Sequence, residues 1–155
     1  MKLTIKEALL KGVDAHKDGR IKEANKIYAA ILKARPNNPD ANHNMGVLTL
    51  GLGKTEDSLR FFEKALEANS NVGQFWSSYI NTLIRLGRYT DARIKFDEAK
   101  KTYLRIIELD SAYTVAYRLL IDFLDENELS DIERKIATLI SKEISDEKLI
   151  DLYFS

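Results

Sequence analysis

Two histidines and one aspartate are the side chains best suited to chemistry in this sequence. His43 follows Asp40 by three residues, and His16 lies in an earlier segment with a similar apolar spacing. Two imidazoles and a carboxylate are a donor set that can hold a transition metal. Solvent-facing or ligand-contacting polar side chains are the simpler interpretation. We therefore predict no metal and no cofactor.

A glycine-rich segment, Gly51-Leu-Gly53-Lys54-Thr55, has the Gly-Lys-Thr ending of a phosphate-binding loop. It lacks the first glycine at the required spacing and the preceding strand, so we interpret it as an ordinary turn. The sequence also lacks the motifs of zinc proteases, dinucleotide-binding folds and serine hydrolases. No nucleophile with a base and an orienting group can be assembled from it. We predict that the protein is not an enzyme.

The composition limits the classes of partner. The 155 residues include 24 Lys plus Arg and 24 Asp plus Glu, so the formal net charge is zero. A general nucleic-acid or anionic-membrane binder would carry a basic excess. There is no cysteine, which removes disulfides and thiolate sites, and no apolar run approaches the length of a membrane helix. We expect a soluble cytoplasmic protein with neither nucleic acid nor membrane as its partner.

The elements that position these side chains repeat along the chain. Residues of matched type recur at a step of 34 residues, which is typical of stacked-repeat proteins. The repeated positions are a turn glycine (Gly19, Gly53, Gly87), a small residue (Ala24, Ser58, Ala92) and an aromatic residue (Tyr28, Phe62, Phe96). Gly12 and Gly46 are a further matched pair. We predict that these two glycines lie where paired helices approach closely, and that the aromatics fill the gap toward the next unit.

Apolar residues recur at helical spacing and strand-like alternation is absent, which predicts an all-α fold. The predicted helices cover 4–17, 21–34, 40–52, 55–68, 74–86 and 90–109. They would form a superhelix of antiparallel pairs within a single domain, 1–155, with repeats at 5–38, 39–72, 73–110 and 111–143. The segment 145–154 carries an N-cap signature and five apolar side chains, and we predict that it forms a C-terminal capping helix.

The third unit departs from the strict period. The pattern of its second helix recurs seven residues later, with Ala99 in the small position and Tyr103 in the aromatic position. Seven residues are close to two helical turns, so the apolar stripe keeps its direction. This predicts one extended second helix in the third repeat. Ile80 stands where the other units have glycine, which predicts a looser helix pair.

These residues resemble the tetratricopeptide repeat. The resemblance is carried by Trp76, Met45, Gly12, Gly46 and Pro36, together with the small and aromatic columns. It implies about four repeats and a non-catalytic scaffold for protein–protein interaction. The opening segment also resembles the tetratricopeptide regions that precede catalytic domains in some bacterial transferases. A docking or regulatory region of such an enzyme is therefore an alternative, and self-association through the C-terminal helix is another.

The family resemblance also implies a site. In tetratricopeptide superhelices the first helix of each pair lines a concave groove that holds a protein or peptide partner. The corresponding residues here are Lys6, Leu9, Val13, His16, His43, Asn44, Val47, Gln74, Ser77, Asn81, Arg85, Arg118 and Asp122. The carboxylate clamp that holds chaperone tails in this family has five positions, of which only Asn44 matches. We predict no binding of chaperone tails.

Overall fold

The computed structural model describes residues 3–109, which form six helices and no strand. The helices are α1 (Ile5–Lys17), α2 (Ile21–Ala34), α3 (Pro39–Gly51), α4 (Thr55–Ala68), α5 (Gly73–Arg85) and α6 (Tyr89–Leu109). Each bound agrees with the predicted range to within one residue. The predicted all-α helical-repeat fold is therefore confirmed over this part of the chain.

Side-chain hydrogen bonds cap the N-termini of the helices α1 and α3. Thr4 caps α1 in a capping box, in which its Oγ1 accepts from the Glu7 N–H at 3.2 Å and the Glu7 carboxylate accepts from the Thr4 N–H at 2.7 Å. The Asn38 side chain caps α3 by accepting from the Ala41 N–H at 2.8 Å. Pro39 occupies the first helical position, where its fixed φ suits a helix start.

The turn between the first and second helix of each pair has the same hydrogen bonds in all three described repeats. Gly19, Gly53 and Gly87 adopt φ of 73°, 77° and 71°, a conformation that a Cβ would oppose. The residue after each glycine donates its N–H five residues back, as in Arg20 to Ala15 at 2.8 Å. This is the Schellman arrangement, and it satisfies carbonyls that the helix end leaves free.

The helices α1 to α5 pack in sequence order within the first compact unit, Met1–Lys95. The helix α1 contacts α2, and α3 contacts α4, across three-residue connections that make each pair antiparallel. Helix α3 also packs on α2, and α5 on α4, so each repeat covers the next. The first helices α1 and α3 touch each other as well.

The two helical glycines lie under the aromatic rings of their own repeats. A Cβ built on Gly12 would come within 2.6 Å of Tyr28 Cε1, and one on Gly46 within 2.6 Å of Phe62 Cε1. Both rings are 0 % exposed. The predicted close approach of paired helices is confirmed. Each aromatic ring packs onto the glycine of its own unit, and Tyr28 also belongs to a buried cluster with Met45 and Leu48 of the next unit, which agrees with the prediction that it fills the gap between units.

The extended helix of the third repeat is confirmed as far as the described residues reach. The helix α6 has 21 residues, against 14 in each of α2 and α4. Ala99 and Tyr103 are both 0 % exposed, as the small and aromatic residues of the first two repeats are, while Phe96 is only partly buried. The pattern of burial therefore follows the seven-residue shift.

The chain divides into two compact units, Met1–Lys95 and Phe96–Ser155. The fourth repeat (111–143), the C-terminal helix (145–154) and the groove positions Arg118 and Asp122 lie outside the described residues. The single-domain organisation stays a prediction. No helix among residues 3–109 is both long enough and apolar enough to cross a membrane.

Candidate functional site

The first helices of the three described repeats lie side by side. The helix α1 contacts α3. His43 of α3 reaches α5, where its Nε2 lies 2.9 Å from Ser78 Oγ and its ring stacks on Phe75 at a centroid distance of 4.8 Å. Side chains at equivalent positions of α1, α3 and α5 therefore form one surface, which we call the first-helix face. It comprises repeat positions 2, 5, 6, 9, 12 and 13, counted from Ile5, Pro39 and Gly73 as position 1. The family resemblance assigns these positions to the groove.

The predicted groove residues within the described range differ in exposure. The exposed ones are Lys6, Val47, Gln74, Ser77, Asn81 and Arg85, and the partly buried ones are Leu9, Val13, His16 and Asn44. A partner can reach the exposed side chains without any rearrangement of the fold. His43 is the exception, since only 4 % of its surface is exposed.

His43 is a packing residue between adjacent repeats. The centroid of its ring lies 5.6 Å from that of Phe62, and the ring also stacks on Phe75. Its Nε2 is hydrogen-bonded to the Ser78 hydroxyl. Burial lowers the pKa of His43, because loss of hydration outweighs the Asn44 hydrogen bond and the attraction of the Asp40 carboxylate. The imidazole is therefore neutral at pH 7. The sequence predicts that His43 faces the groove, but the structure places it beneath that surface.

A serine hydroxyl beside a histidine can act as a nucleophile with its base. Whether the His43–Ser78 pair can do so depends on its surroundings. Ser78 lies in the middle of α5, where backbone N–H groups are engaged within the helix and cannot stabilise an oxyanion. The imidazole is covered by two aromatic rings, which keep a substrate away from it. The pair acts as a structural hydrogen bond between α3 and α5.

The structure also describes the possible metal donors and the glycine-rich segment. Among residues 3–109 there is no group of three histidines, cysteines or carboxylates that could hold a metal ion. His16 lies edge-on to Tyr28, at a ring separation of 6.4 Å. The glycine-rich segment ends α3 and forms the turn at Gly53 before α4 begins at Thr55, as in the other repeats.

Sequence reasoning missed two apolar members of the first-helix face, Leu10 and Ile84; Leu10 is 59 % exposed. Ile84 is 44 % exposed and lies at repeat position 12, where α1 has His16 and α3 has Leu50. The repeat alignment was a sufficient signal, because residues 34 apart share one face. Together with Val47, which is 36 % exposed, Ile84 gives this polar surface an apolar component.

Two cations of the first-helix face form no ion pair within the described structure. Lys6 and Arg85 take part in none of the ion pairs formed among residues 3–109. Those pairs lie at the turns instead, where Arg20 and Arg88 each bind two carboxylates. The face thus offers amides, a hydroxyl, the Asp40 carboxylate, the apolar side chains Leu10, Val47 and Ile84, and unpaired cations to a partner.

The sequence of residues 15–77 matches the model of the tetratricopeptide repeat family. Tetratricopeptide repeats are thus identified within residues 15–77. The match includes most of α1, all of α2, α3 and α4, and the start of α5. The tetratricopeptide identity expected from the residue columns is confirmed by this match.

Solved structures share the tetratricopeptide fold of this chain. MamA of AMB-1 is 21% identical, over 63% of this chain and 54% of MamA, with a TM-score of 0.54. The second repeat domain of Spaghetti (RPAP3), bound to the HSP90 peptide SRMEEVD, is 17% identical, over 61% and 88%, with a TM-score of 0.56. The TPR2B domain of yeast Sti1, in a complex with pHsp70, is 19% identical, over 77% and 94%, with a TM-score of 0.59.

At these identities the structural likeness concerns the fold alone. This chain spans about half the length of the MamA structure that it matches. No curated protein sequence matches the chain significantly.

Proposed function

We propose that the chain is a non-catalytic scaffold whose first-helix face binds a segment of a partner protein. The observation that carries this proposal is the row of exposed side chains at equivalent positions of adjacent first helices. Val47 and Ile84 are large apolar side chains exposed on this face, and they are accompanied by Gln74, Ser77 and Asn81. Apolar groups supply binding energy when they are covered, and amides fix the register of a bound backbone.

Proteins of the same fold support this proposal. The Spaghetti (RPAP3) domain holds an HSP90 peptide, and the Sti1 domain is in a complex with pHsp70. Their likeness to this chain extends over three fifths or more of its length. The same arrangement of first helices in this chain supports a peptide-sized partner.

The side chains of the face argue against a chaperone tail as the partner. At four of the five clamp positions this chain has Leu9, Val13, Gln74 and Ser78 in place of the expected cations and amide. Leu9 and Val13 are partly buried, and Ser78 is already bonded to His43. A peptide carboxylate would find no pair of cations at those positions. We expect no measurable affinity for a peptide ending in Glu-Glu-Val-Asp at micromolar concentration.

The experiment that tests the scaffold proposal compares two alanine variants of exposed asparagines. Asn81→Ala removes an amide from the first-helix face, and Asn25→Ala makes the same change on α2. Affinity capture with mass spectrometry should show partners that Asn81→Ala loses and Asn25→Ala retains. Circular dichroism must show that both variants stay folded. Equal capture by the two folded variants would count against binding at this face.

A further inference from the structure

Two open depressions lie side by side at the edge of the first repeat. One, of about 340 Å³, lies between α1 and α2, and seven of its nine lining side chains are apolar, among them Leu3, Ala8 and Ile27. The other, of about 480 Å³, lies along the loop from α2 to α3. Ile5 lines both, so they are adjacent. We call this surface the repeat-1 end face.

The part of this surface that α1 contributes is covered by a helix in the later repeats. Lys11 corresponds to Met45 in α3 and to Tyr79 in α5, at the same repeat position. Met45 and Tyr79 are both buried, where α3 packs on α2 and α5 packs on α4. The end face of the first repeat therefore has the shape that a helix covers elsewhere in this fold, while its own Lys11 and Leu3 are exposed.

The charges of the end face all have one sign. Lys11 and Arg35 are the charged side chains that line the two depressions, and no carboxylate lines either of them. Neither cation takes part in an ion pair among residues 3–109. Glu7, a carboxylate on α1 outside the lining, accepts two hydrogen bonds from Thr4, which hold its side chain at the start of α1 while it keeps its charge. Two unpaired cations beside an apolar floor match an acidic amphipathic ligand.

We propose that the repeat-1 end face docks an amphipathic helix of a partner protein, in which carboxylates flank the apolar stripe. The apolar stripe covers Leu3, Ile5 and Ile27, as each repeat covers the first helix of the next. The carboxylates approach Lys11 and Arg35. This surface is separate from the first-helix face, since Ala8 and Lys11 of α1 line it, while Lys6 and Val13 belong to the first-helix face. The protein would then have two binding surfaces for different partners.

Two synthetic helical peptides test this proposal on the full chain. They share leucines at helical spacing, and the remaining positions carry glutamates in one peptide and lysines in the other. In a fluorescence anisotropy titration, the acidic peptide should bind at least about tenfold more tightly than the basic one. Lys11→Glu should weaken the acidic peptide about three- to tenfold and strengthen the basic one, as expected for exposed charge pairs. Lys33→Glu, the same charge change at an exposed position of α2 outside both depressions, should leave both affinities unchanged.

A second variant tests the apolar part of the surface. Ala30 is exposed and lines the smaller depression, so Ala30→Phe fills that space without disturbing the core. It should abolish binding of the acidic peptide. Unchanged binding by Ala30→Phe, equal affinities for the two peptides, or no binding of either would overturn the proposal.

Two other results would point to a different binding surface or to a different occupant of the end face. Loss of peptide binding in Asn81→Ala but not in Lys11→Glu would place the peptide on the first-helix face, which overturns the end-face proposal and leaves the scaffold function standing. Light scattering that shows a dimer of the wild type and a monomer of Ala30→Phe would make a second copy of the chain the occupant. That result would overturn the assignment to a separate partner protein.

Discussion

Gly46→Ala tests the packing on which the helix pairs depend. The added Cβ would lie 2.6, 2.8 and 3.0 Å from three ring carbons of Phe62. Carbon atoms that are not bonded prefer a separation of about 3.5–4.0 Å, so the closest contact is about 1 Å too short. The Phe62 ring is 0 % exposed, so relief of this overlap requires a shift of buried side chains or of a helix.

Two effects of opposite sign decide the stability of this variant. Alanine is favoured over glycine in a helix interior by about 1 kcal/mol. Overpacking of a tightly packed core costs about 1–3 kcal/mol, and the full burial of the ring puts this site at the upper end. We expect the overlap to exceed the gain in helix propensity, with a net decrease of about 1–2 kcal/mol in the free energy of unfolding.

The same helix supplies the matched control. Gly51 is the last residue of α3, has no atom within 4 Å of a built Cβ, and does not adopt a positive φ. Gly51→Ala should therefore raise the free energy of unfolding by up to about 1 kcal/mol. Urea unfolding followed by circular dichroism at 222 nm measures both variants. A Gly46→Ala protein as stable as Gly51→Ala would refute the argument that the ring requires glycine beneath it.

Two further predictions concern buried polar groups. His43→Gln should reduce the loss of thermal stability between about pH 7.5 and 5.5, because the folded state resists protonation of His43 and the unfolded state does not, so stability falls as pH drops below about 6.5. His16→Gln is the control, and an equal effect of the two changes on the pH profile would contradict the assignment. Tyr28→Phe should raise the urea midpoint or leave it unchanged, since the buried Tyr28 hydroxyl has no hydrogen-bond partner among the described residues and Phe62 fills the same position in the next repeat. A lower midpoint for Tyr28→Phe would show that the hydroxyl is satisfied in solution.

The helices and their turns could be predicted from the sequence because their causes are local. The turn at Gly53 requires a positive φ, and the hydrogen bonds that close it join residues within five positions. The extended α6 followed from the recurrence of one pattern at Ala99 and Tyr103, which are seven residues beyond Ala92 and Phe96. Helical spacing is a property of neighbouring residues, so a single sequence contains it.

The candidate site was less accessible from the sequence, since exposure depends on distant residues. Equivalent repeat positions predicted which side chains share the first-helix face, and Val47 and Asn81 are exposed there. The same positional rule placed His43 at the surface, but Phe62, Phe75 and Ser78 bury it. The repeat position predicts the side of the helix from which a side chain projects. The size and polarity of the neighbouring side chains decide whether that side chain is exposed.

The sequence by itself therefore determined a row of α-helical pairs at a 34-residue period, because backbone conformation and apolar spacing are set within a few residues. Only the tertiary structure decided that Tyr28 and Phe62 pack onto the glycines of their own repeats, and that His43 joins one repeat to the next. His43 and Ser78 are 35 positions apart in the chain, so their hydrogen bond exists only after the repeats have stacked. Contacts between residues so far apart in the chain therefore decide whether a polar side chain is buried in the fold or exposed to a partner.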